Sequence, residues 1–73
     1  MPARLRQIVT AAAVYGVRCE EPSSGSHYKL YAADGKMYPV PAGNGYKTEI
    51  DDKYIKKMCR ALGLVYEDLK KNL

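Results

Sequence analysis

The chain has 73 residues, which is enough for one small domain and too short for a multidomain enzyme, a repeat array or a dinucleotide-binding fold. Its composition is globular, with 47% hydrophobic and 27% charged residues, and excludes a disordered or collagen-like chain. Twelve Lys and Arg against eight Asp and Glu give a net charge of +4, which permits nucleic-acid binding without demonstrating it. We therefore expect a single domain over residues 1–73.

The first predicted element is a helix over residues 3–15. Pro2 suits the first turn of a helix, and Gly16 is placed to end it. The apolar positions of this segment recur at helical spacing, and they are Leu5, Ile8, Val9 and Ala12.

Three short strands are predicted next, at residues 17–21, 26–32 and 37–40, from their alternation and from the turn residues between them. Alternation in the second strand separates two faces, with Ser26, Tyr28 and Leu30 on one and His27, Lys29 and Tyr31 on the other. Asp34-Gly35 indicates a hairpin before the third strand. Pro39 and Pro41 place that third strand at a sheet edge, because proline donates no ladder hydrogen bond.

Two helices close the predicted fold. Asp51 or Asp52 caps the first of them, and Gly63 ends it. Its apolar stripe consists of Ile55, Met58, Cys59 and Leu62. Residues 64–73 form a short last helix with Leu69 and Leu73 facing inward. This order predicts an α+β two-layer domain, a three-stranded antiparallel sheet with helices on one face and the other face open.

Cys19 and Cys59 are expected to be free thiols in a reducing compartment, because two cysteines make no disulfide scaffold in this context. With no CxxC motif and a single histidine, neither a zinc site nor any other metal or cofactor is expected. The longest apolar run, over residues 9–15, is too short to span a membrane and lacks the flanks of a signal peptide. We therefore expect a cytoplasmic protein.

His27 is the natural candidate for a general acid or base, because histidine changes its charge near neutral pH. Alternation places it on the open sheet face beside Lys29 and Tyr31. A histidine next to a lysine can there bind a phosphate and transfer a proton. An ordinary surface histidine is the alternative. Ser26 points to the opposite face, so a Ser–His dyad is not expected.

The densest basic block consists of Lys53, Lys56, Lys57 and Arg60. A solvated helix face explains such a block as well as a nucleic-acid contact does. Tyr31 has the same two interpretations, a packing residue of the sheet or a platform for a base.

Several short motifs occur in a fixed order along the chain. They are Gly16-Val17, Gly25-Ser26-His27, Asp34-Gly35-Lys36, Val40-Pro41, Leu62-Gly63-Leu64 and Glu67-Asp68-Leu69. In this order the chain resembles, over about residues 5–73, the HicA family of mRNA-interferase toxins from HicA–HicB toxin–antitoxin modules.

The resemblance implies a double-stranded-RNA-binding-domain-like fold and metal-independent endonucleolytic cleavage of mRNA, with a HicB-like antitoxin covering the active face. It implies that His27 is catalytic, within the Gly25-Ser26-His27 motif, and that Lys29 and Lys36 neutralise the phosphate. The RNA contacts it implies are Tyr31, Lys47, Lys53, Lys56, Lys57 and Arg60.

The chain departs from the family pattern at four positions. Ser24 stands where a basic residue usually precedes the Gly-Ser-His motif, Glu20 and Glu21 stand in a strand that is usually basic, and Ala42 stands where a histidine often follows. These changes favour an alternative, a catalytically weak or inactive module that binds RNA or a protein without cleavage. A third interpretation is a structural partner-binding domain without RNA affinity.

Overall fold

The structure is a computed structural model that describes residues 2–73. Met1, which the predicted domain includes, lies outside the described residues. The elements in chain order are β1 (Ala3–Arg4), α1 (Leu5–Ala13), β2 (Arg18–Glu20), β3 (His27–Tyr31), β4 (Met37–Pro41), a 3₁₀ turn (Gly45–Lys47), β5 (Glu49–Ile50), α2 (Asp52–Leu62) and α3 (Tyr66–Lys71).

The central sheet is antiparallel with the strand order β2-β3-β4, as the sequence predicted. Leu30 lies opposite Cys19 on one side and Tyr38 on the other, and it is fully buried. His27 and Lys29, on the alternate face, are exposed. The predicted separation of the two faces is therefore confirmed.

Strand β4 forms one edge of this sheet, which confirms the interpretation of its prolines. The Ala42 N–H donates to the Ser26 carbonyl on the β3 side at 2.7 Å. Hydrogen-bonded and non-hydrogen-bonded pairs alternate along an antiparallel ladder, so the backbone polar groups of Pro39 and Pro41 point away from β3. The Tyr54 hydroxyl donates to the outward Pro39 carbonyl at 2.6 Å, so α2 closes part of the edge.

The amino end of the predicted first helix is wrong, because Ala3 and Arg4 are extended and form β1. Ala3 pairs with Ile50 in β5, and the Leu5 N–H donates to the Thr48 carbonyl at 2.8 Å. The two-stranded β1–β5 pair was not predicted. Its paired residues lie 45 and 47 positions apart, and each strand has only two residues, so neither strand shows an alternating pattern.

The second helix begins and ends as predicted. The Asp51 carboxylate accepts from the Lys53 N–H at 3.2 Å, and Gly63 ends α2 in the left-handed conformation at φ +74°. In α3, Leu69 is buried as predicted. Leu73 is 37% exposed, so the prediction that it faces inward is wrong, because α3 ends at Lys71 and releases it.

The core lies between the sheet and the helices, which confirms the two-layer α+β arrangement. Its largest fully buried side chains are Leu5, Ile8, Leu30, Val40, Ile55, Met58, Cys59 and Leu69. Two tyrosine pairs lie around this core, Tyr28 with Tyr46 at 5.1 Å and Tyr38 with Tyr54 at 5.3 Å between ring centroids. Over residues 2–73, none of the helices combines the length and apolar character needed to cross a bilayer.

Candidate nucleic-acid interface

The sheet face that turns away from the helices, the open face, is defined by the strand register. It consists of Arg18 and Glu20 from β2, His27, Lys29 and Tyr31 from β3, and Met37, Pro39 and Pro41 from β4. All of these residues are exposed except Tyr31, which is half-buried. The open face therefore combines a titratable group, cations and an aromatic ring on one solvated surface.

His27 is positioned by the backbone at the first residue of β3. Gly25 adopts φ +82°, a conformation that side chains disfavour, and turns the chain from the preceding loop into the strand. The hydrogen bond from the Ala42 N–H to the Ser26 carbonyl then holds the beginning of β3 against β4. Gly25 and Ser26 thus set the direction of His27 through backbone geometry.

A groove of about 400 Å³ lies at this end of the sheet. This His27 groove is lined by Glu20, Glu21, Pro22, Ser23, Ser24, His27 and Lys29. Its volume falls in the range of small-ligand sites, so one nucleotide is a suitable occupant. Lys29 follows His27 by two positions on the same face, about 7 Å along the strand. The groove therefore brings an imidazole and an ammonium group together, which is the pair that the sequence predicted.

The charge around the groove is mixed. Glu20 lies directly opposite Lys29 in the register, and its carboxylate is 3.9 Å from an Arg18 guanidinium nitrogen. The Glu20 and Arg18 side chains are 52% and 68% exposed, so water screens this pair and it contributes little to stability. The carboxylates lower the positive potential that a phosphate meets beside His27.

Glu21 is held by a contact that sequence reasoning missed. The Tyr46 hydroxyl donates to a Glu21 carboxylate oxygen at 2.8 Å, and the Tyr46 ring packs edge-on against Tyr28. This hydrogen bond is the main reason that the pKa of Tyr46 lies well above its usual range. Burial raises the pKa of the neighbouring Cys19 thiol, which disfavours the reactive thiolate. No local pattern joins residues 21 and 46, so only the fold reveals the pair.

Tyr31 lies at the other end of β3 from His27. The Arg18 guanidinium stands 4.3 Å from the centre of its ring, in cation–π geometry. One face of the predicted base platform is therefore covered by Arg18. A base that reaches this region meets the exposed guanidinium plane, which is itself a stacking surface.

The structure does not bring Lys36 together with His27. Lys36 lies in the β3–β4 turn, where its ammonium is 3.6 Å from an Asp34 carboxylate oxygen. It also lies beside Gly63, within 3.9 Å of where a Cβ atom of that residue would be. His27 begins β3 and Lys36 follows its end, so at least about 13 Å of strand separates them. The predicted shared role of Lys36 and His27 at one phosphate is therefore not supported by their positions.

The basic block of α2 also lies apart from His27. The buried stripe of α2 faces the sheet, so the four cations point outward from the helical layer on the opposite side from the open face. They are Lys53, Lys56, Lys57 and Arg60. Lys56 is 3.4 Å from an Asp52 carboxylate oxygen and lies over the Tyr66 ring. One strand of RNA on the open face does not reach this block without crossing an edge of the domain.

Lys47 lies elsewhere again, in the 3₁₀ turn. It lines a second groove together with Arg4, Arg6, Gln7 and Tyr46. Arg4 ends β1 and Arg6 lies in the first turn of α1, and no sequence pattern assigned them a role. The cations named as RNA contacts are thus spread over separate surfaces, which include the second groove and the outer face of α2.

Among residues 2–73 no three His, Cys, Asp or Glu side chains are arranged to hold a metal ion. Both cysteines are free, and Cys59 is buried in the core. Comparisons of the chain with models of known families, with curated proteins and with solved structures found no match.

Proposed function

We propose that this protein is an endoribonuclease of the HicA kind, which cleaves mRNA on the open face with His27 as its general base. The observation that supports this most directly is the pairing of His27 with Lys29 along one exposed groove. The Gly25-Ser26-His27 motif leads into β3, and its His27 lines the groove. The resemblance of the ordered motifs to the HicA family points to the same activity.

The reaction follows from the chemistry of the two side chains. The His27 imidazole takes the proton of a ribose 2′-hydroxyl, and the 2′-oxygen attacks the adjacent phosphorus. The bond from phosphorus to the 5′-oxygen breaks, which leaves a 2′,3′-cyclic phosphate and a 5′-hydroxyl that takes up a proton. The Lys29 ammonium stabilises the negative charge that builds on the phosphate. General acid–base help of this kind contributes about 100- to 10,000-fold.

The proposed reaction predicts that RNA is cleaved and DNA is not, without any recognition of the bases. The nucleophile is the 2′-hydroxyl, which DNA lacks, so a DNA strand in the same groove has no attacking group. Because no step is assigned to a metal or cofactor, cleavage is expected to continue in EDTA. The proposed place of action is the cytoplasm, where mRNA is translated.

The proposed protein partner is a HicB-like antitoxin that covers the open face. Met37 on this face is 44% exposed, and Pro39 and Pro41 extend the apolar surface beside it. Tyrosine, methionine and arginine are enriched at protein interfaces, and Tyr31 and Arg18 are also present on this face. A partner seated there would exclude RNA from His27.

The decisive experiment compares the protein with His27→Ala on a single-stranded mRNA fragment in EDTA. We expect cleavage by the parent and at least a 100-fold loss in the variant, with circular dichroism unchanged. The Met37→Ala variant is the matched control, because it truncates an exposed side chain of the same face outside the groove. Substrates with 2′-deoxyribose at the cleaved position should resist the parent. Equal cleavage by the parent and His27→Ala would exclude the proposed role.

The acidic residues around the groove favour a second function, RNA binding without cleavage. Glu20 and Glu21 both line the groove and oppose the approach of phosphate. This function predicts no cleavage by the folded parent and RNA affinity that is insensitive to His27→Ala. Cleavage that depends on His27 rejects it.

A further inference from the structure

We infer that the groove formed by Arg4, Arg6 and Lys47 binds backbone phosphates of the RNA strand whose ribose reaches His27. The groove measures about 330 Å³ and is completed by Gln7 and Tyr46. We call it the arginine groove. This inference rests on the proposed function, since it assigns the path of the substrate beyond the reacting phosphate.

The charge of the arginine groove suits a polyanion. Its three cations are exposed, and no carboxylate lines it. Among residues 2–73 none of the three forms an ion pair, whereas Arg18 and Lys36 each have a carboxylate within 4.0 Å. Glu49 lies opposite Arg4 in the β1–β5 register and is the nearest acidic position along that pair, but no ion pair joins them. The three charges therefore remain available to an external anion.

Two hydrogen bonds fix the backbone segments that carry these cations. The Leu5 N–H donates to the Thr48 carbonyl at 2.8 Å, which joins the amino end of α1 to the segment that follows the 3₁₀ turn. The Arg4 N–H donates to the Gln7 side-chain carbonyl at 2.9 Å, which fixes the first turn of the helix. The backbone segments that carry Arg4, Arg6 and Lys47 are thus joined where these residues line one groove.

One hydrogen bond connects the lining of the arginine groove with the lining of the His27 groove. Tyr46 lines the first, and its hydroxyl donates at 2.8 Å to Glu21, which lines the second. The two grooves have no lining residue in common, and the Tyr46–Glu21 hydrogen bond joins the lining of one to the lining of the other. We therefore expect a strand that leaves His27 past this hydrogen bond to meet Arg4, Arg6 and Lys47. The α2 cations lie on the outer face of the helical layer and do not form a continuous surface with the His27 groove.

The test measures RNA binding in a His27→Ala background, so that the probe is not degraded. The probe is a fluorescein-labelled single-stranded RNA of about 12 nucleotides, followed by anisotropy. Arg4→Gln, Arg6→Gln and Lys47→Gln are combined in one variant. The matched control combines Lys53→Gln, Lys57→Gln and Arg60→Gln, which removes the same charge from the outer face of α2.

We expect the arginine-groove variant to bind at least tenfold more weakly at 100 mM salt, and the control to change less than threefold. Each phosphate contact contributes about 0.7 to the salt slope of single-strand binding, so loss of three contacts should lower that slope by about 2. An Arg4→Lys, Arg6→Lys variant keeps the charge and should retain most of the affinity. Equal losses in the two triple variants, or none in either, would overturn the inference. A groove built for an acidic protein would give no selective loss of RNA binding.

The outcome separates the groove from the nuclease assignment. Selective loss of binding, with no cleavage by the folded parent, supports the groove and rejects the proposed activity. Cleavage by the parent with unchanged binding in the arginine-groove variant supports the activity and rejects the groove. If the triple variant does not fold, each single substitution is measured, and at least a twofold loss is expected for each.

Discussion

Glu20 lies directly opposite Lys29 across the β2–β3 pair, on the same face as His27. The carboxylate and the ammonium are therefore both within reach of a phosphate in the groove. An approaching phosphate gains from Lys29 and is opposed by Glu20. If the open face binds RNA as proposed, this local balance, and not the net charge of the chain alone, is expected to affect the affinity.

Glu20→Gln should therefore strengthen RNA binding. The substitution removes one negative charge beside the phosphate site, and one charge at surface distances corresponds to about 1 kcal/mol, or roughly fivefold in affinity at low salt. Fluorescence anisotropy in a His27→Ala background measures the change. Glu67→Gln removes the same charge from exposed α3 and should leave affinity within twofold. Equal gains in both variants would show that only net charge matters.

Gly63→Ala should lower the free energy of unfolding by about 1 kcal/mol, because residue 63 adopts φ +74° to end α2. The space is sufficient, since the nearest atom to an added Cβ would be the Lys36 ammonium at 3.9 Å. The loss is thus one of backbone conformation. Gly43→Ala is the control, because residue 43 has no positive φ and open space around it. Urea denaturation should show the loss at residue 63 and a change within about 0.5 kcal/mol at residue 43.

The acid stability of the domain should depend on Asp52. A hydrogen bond from the Tyr66 hydroxyl is the largest cause that lowers the pKa of Asp52, to about 2. The same bond raises the pKa of Tyr66 to about 12. The pKa of Asp in an unfolded chain is about 3.9. The contribution of Asp52 to the free energy of unfolding is therefore full above that pH and is lost as the pH falls towards 2.

Tyr66→Phe removes this donor, so the pKa of Asp52 should rise and the folded domain should lose less stability between pH 4 and pH 2. NMR titration of the Asp52 carboxyl and urea denaturation at each pH measure the two effects. Tyr31→Phe is the control, because the Tyr31 ring lies beside Arg18 on the open face, whereas Asp52 begins α2 in the helical layer. An Asp52 pKa that stays near 2 in Tyr66→Phe would contradict the assignment to the hydroxyl.

The predictable part of this structure is local in sequence. Alternation was enough to put His27 and Leu30 on opposite faces, because the side-chain period of a strand is independent of its partners. Asp51 and Gly63 mark α2 through hydrogen bonds and dihedral angles that involve only nearby residues.

The unpredicted part depends on distant pairs. Ala3 is extended because Ile50 pairs with it, although residues 2–12 have a helical pattern. The hydrogen bond between Tyr46 and Glu21 joins two segments that are distant in sequence, and no spacing of residues along the chain predicts it. The resemblance implied that Lys53 contacts the same RNA as Lys29, whereas packing of the apolar stripe of α2 places Lys53 on the opposite side of the domain.

The prolines of β4 should keep the domain from pairing edge to edge. Pro39 and Pro41 turn their backbone away from β3, and neither has an N–H to offer a second strand. The Tyr54 hydroxyl already occupies the Pro39 carbonyl. A strand that approaches this edge therefore finds the Pro39 carbonyl already hydrogen-bonded and no N–H donor at residues 39 and 41.

Replacing Pro39 and Pro41 together with Thr should therefore promote self-association. The change restores two outward N–H groups and raises the strand propensity of β4 without altering the core. Sedimentation velocity at about 10 to 200 µM should show a concentration-dependent dimer that the parent lacks. Pro2→Thr, outside the strands, is the control and should sediment like the parent. If the double variant stays monomeric over this range, the missing donors are not what protects the edge, and the Tyr54 contact with Pro39 becomes the remaining explanation.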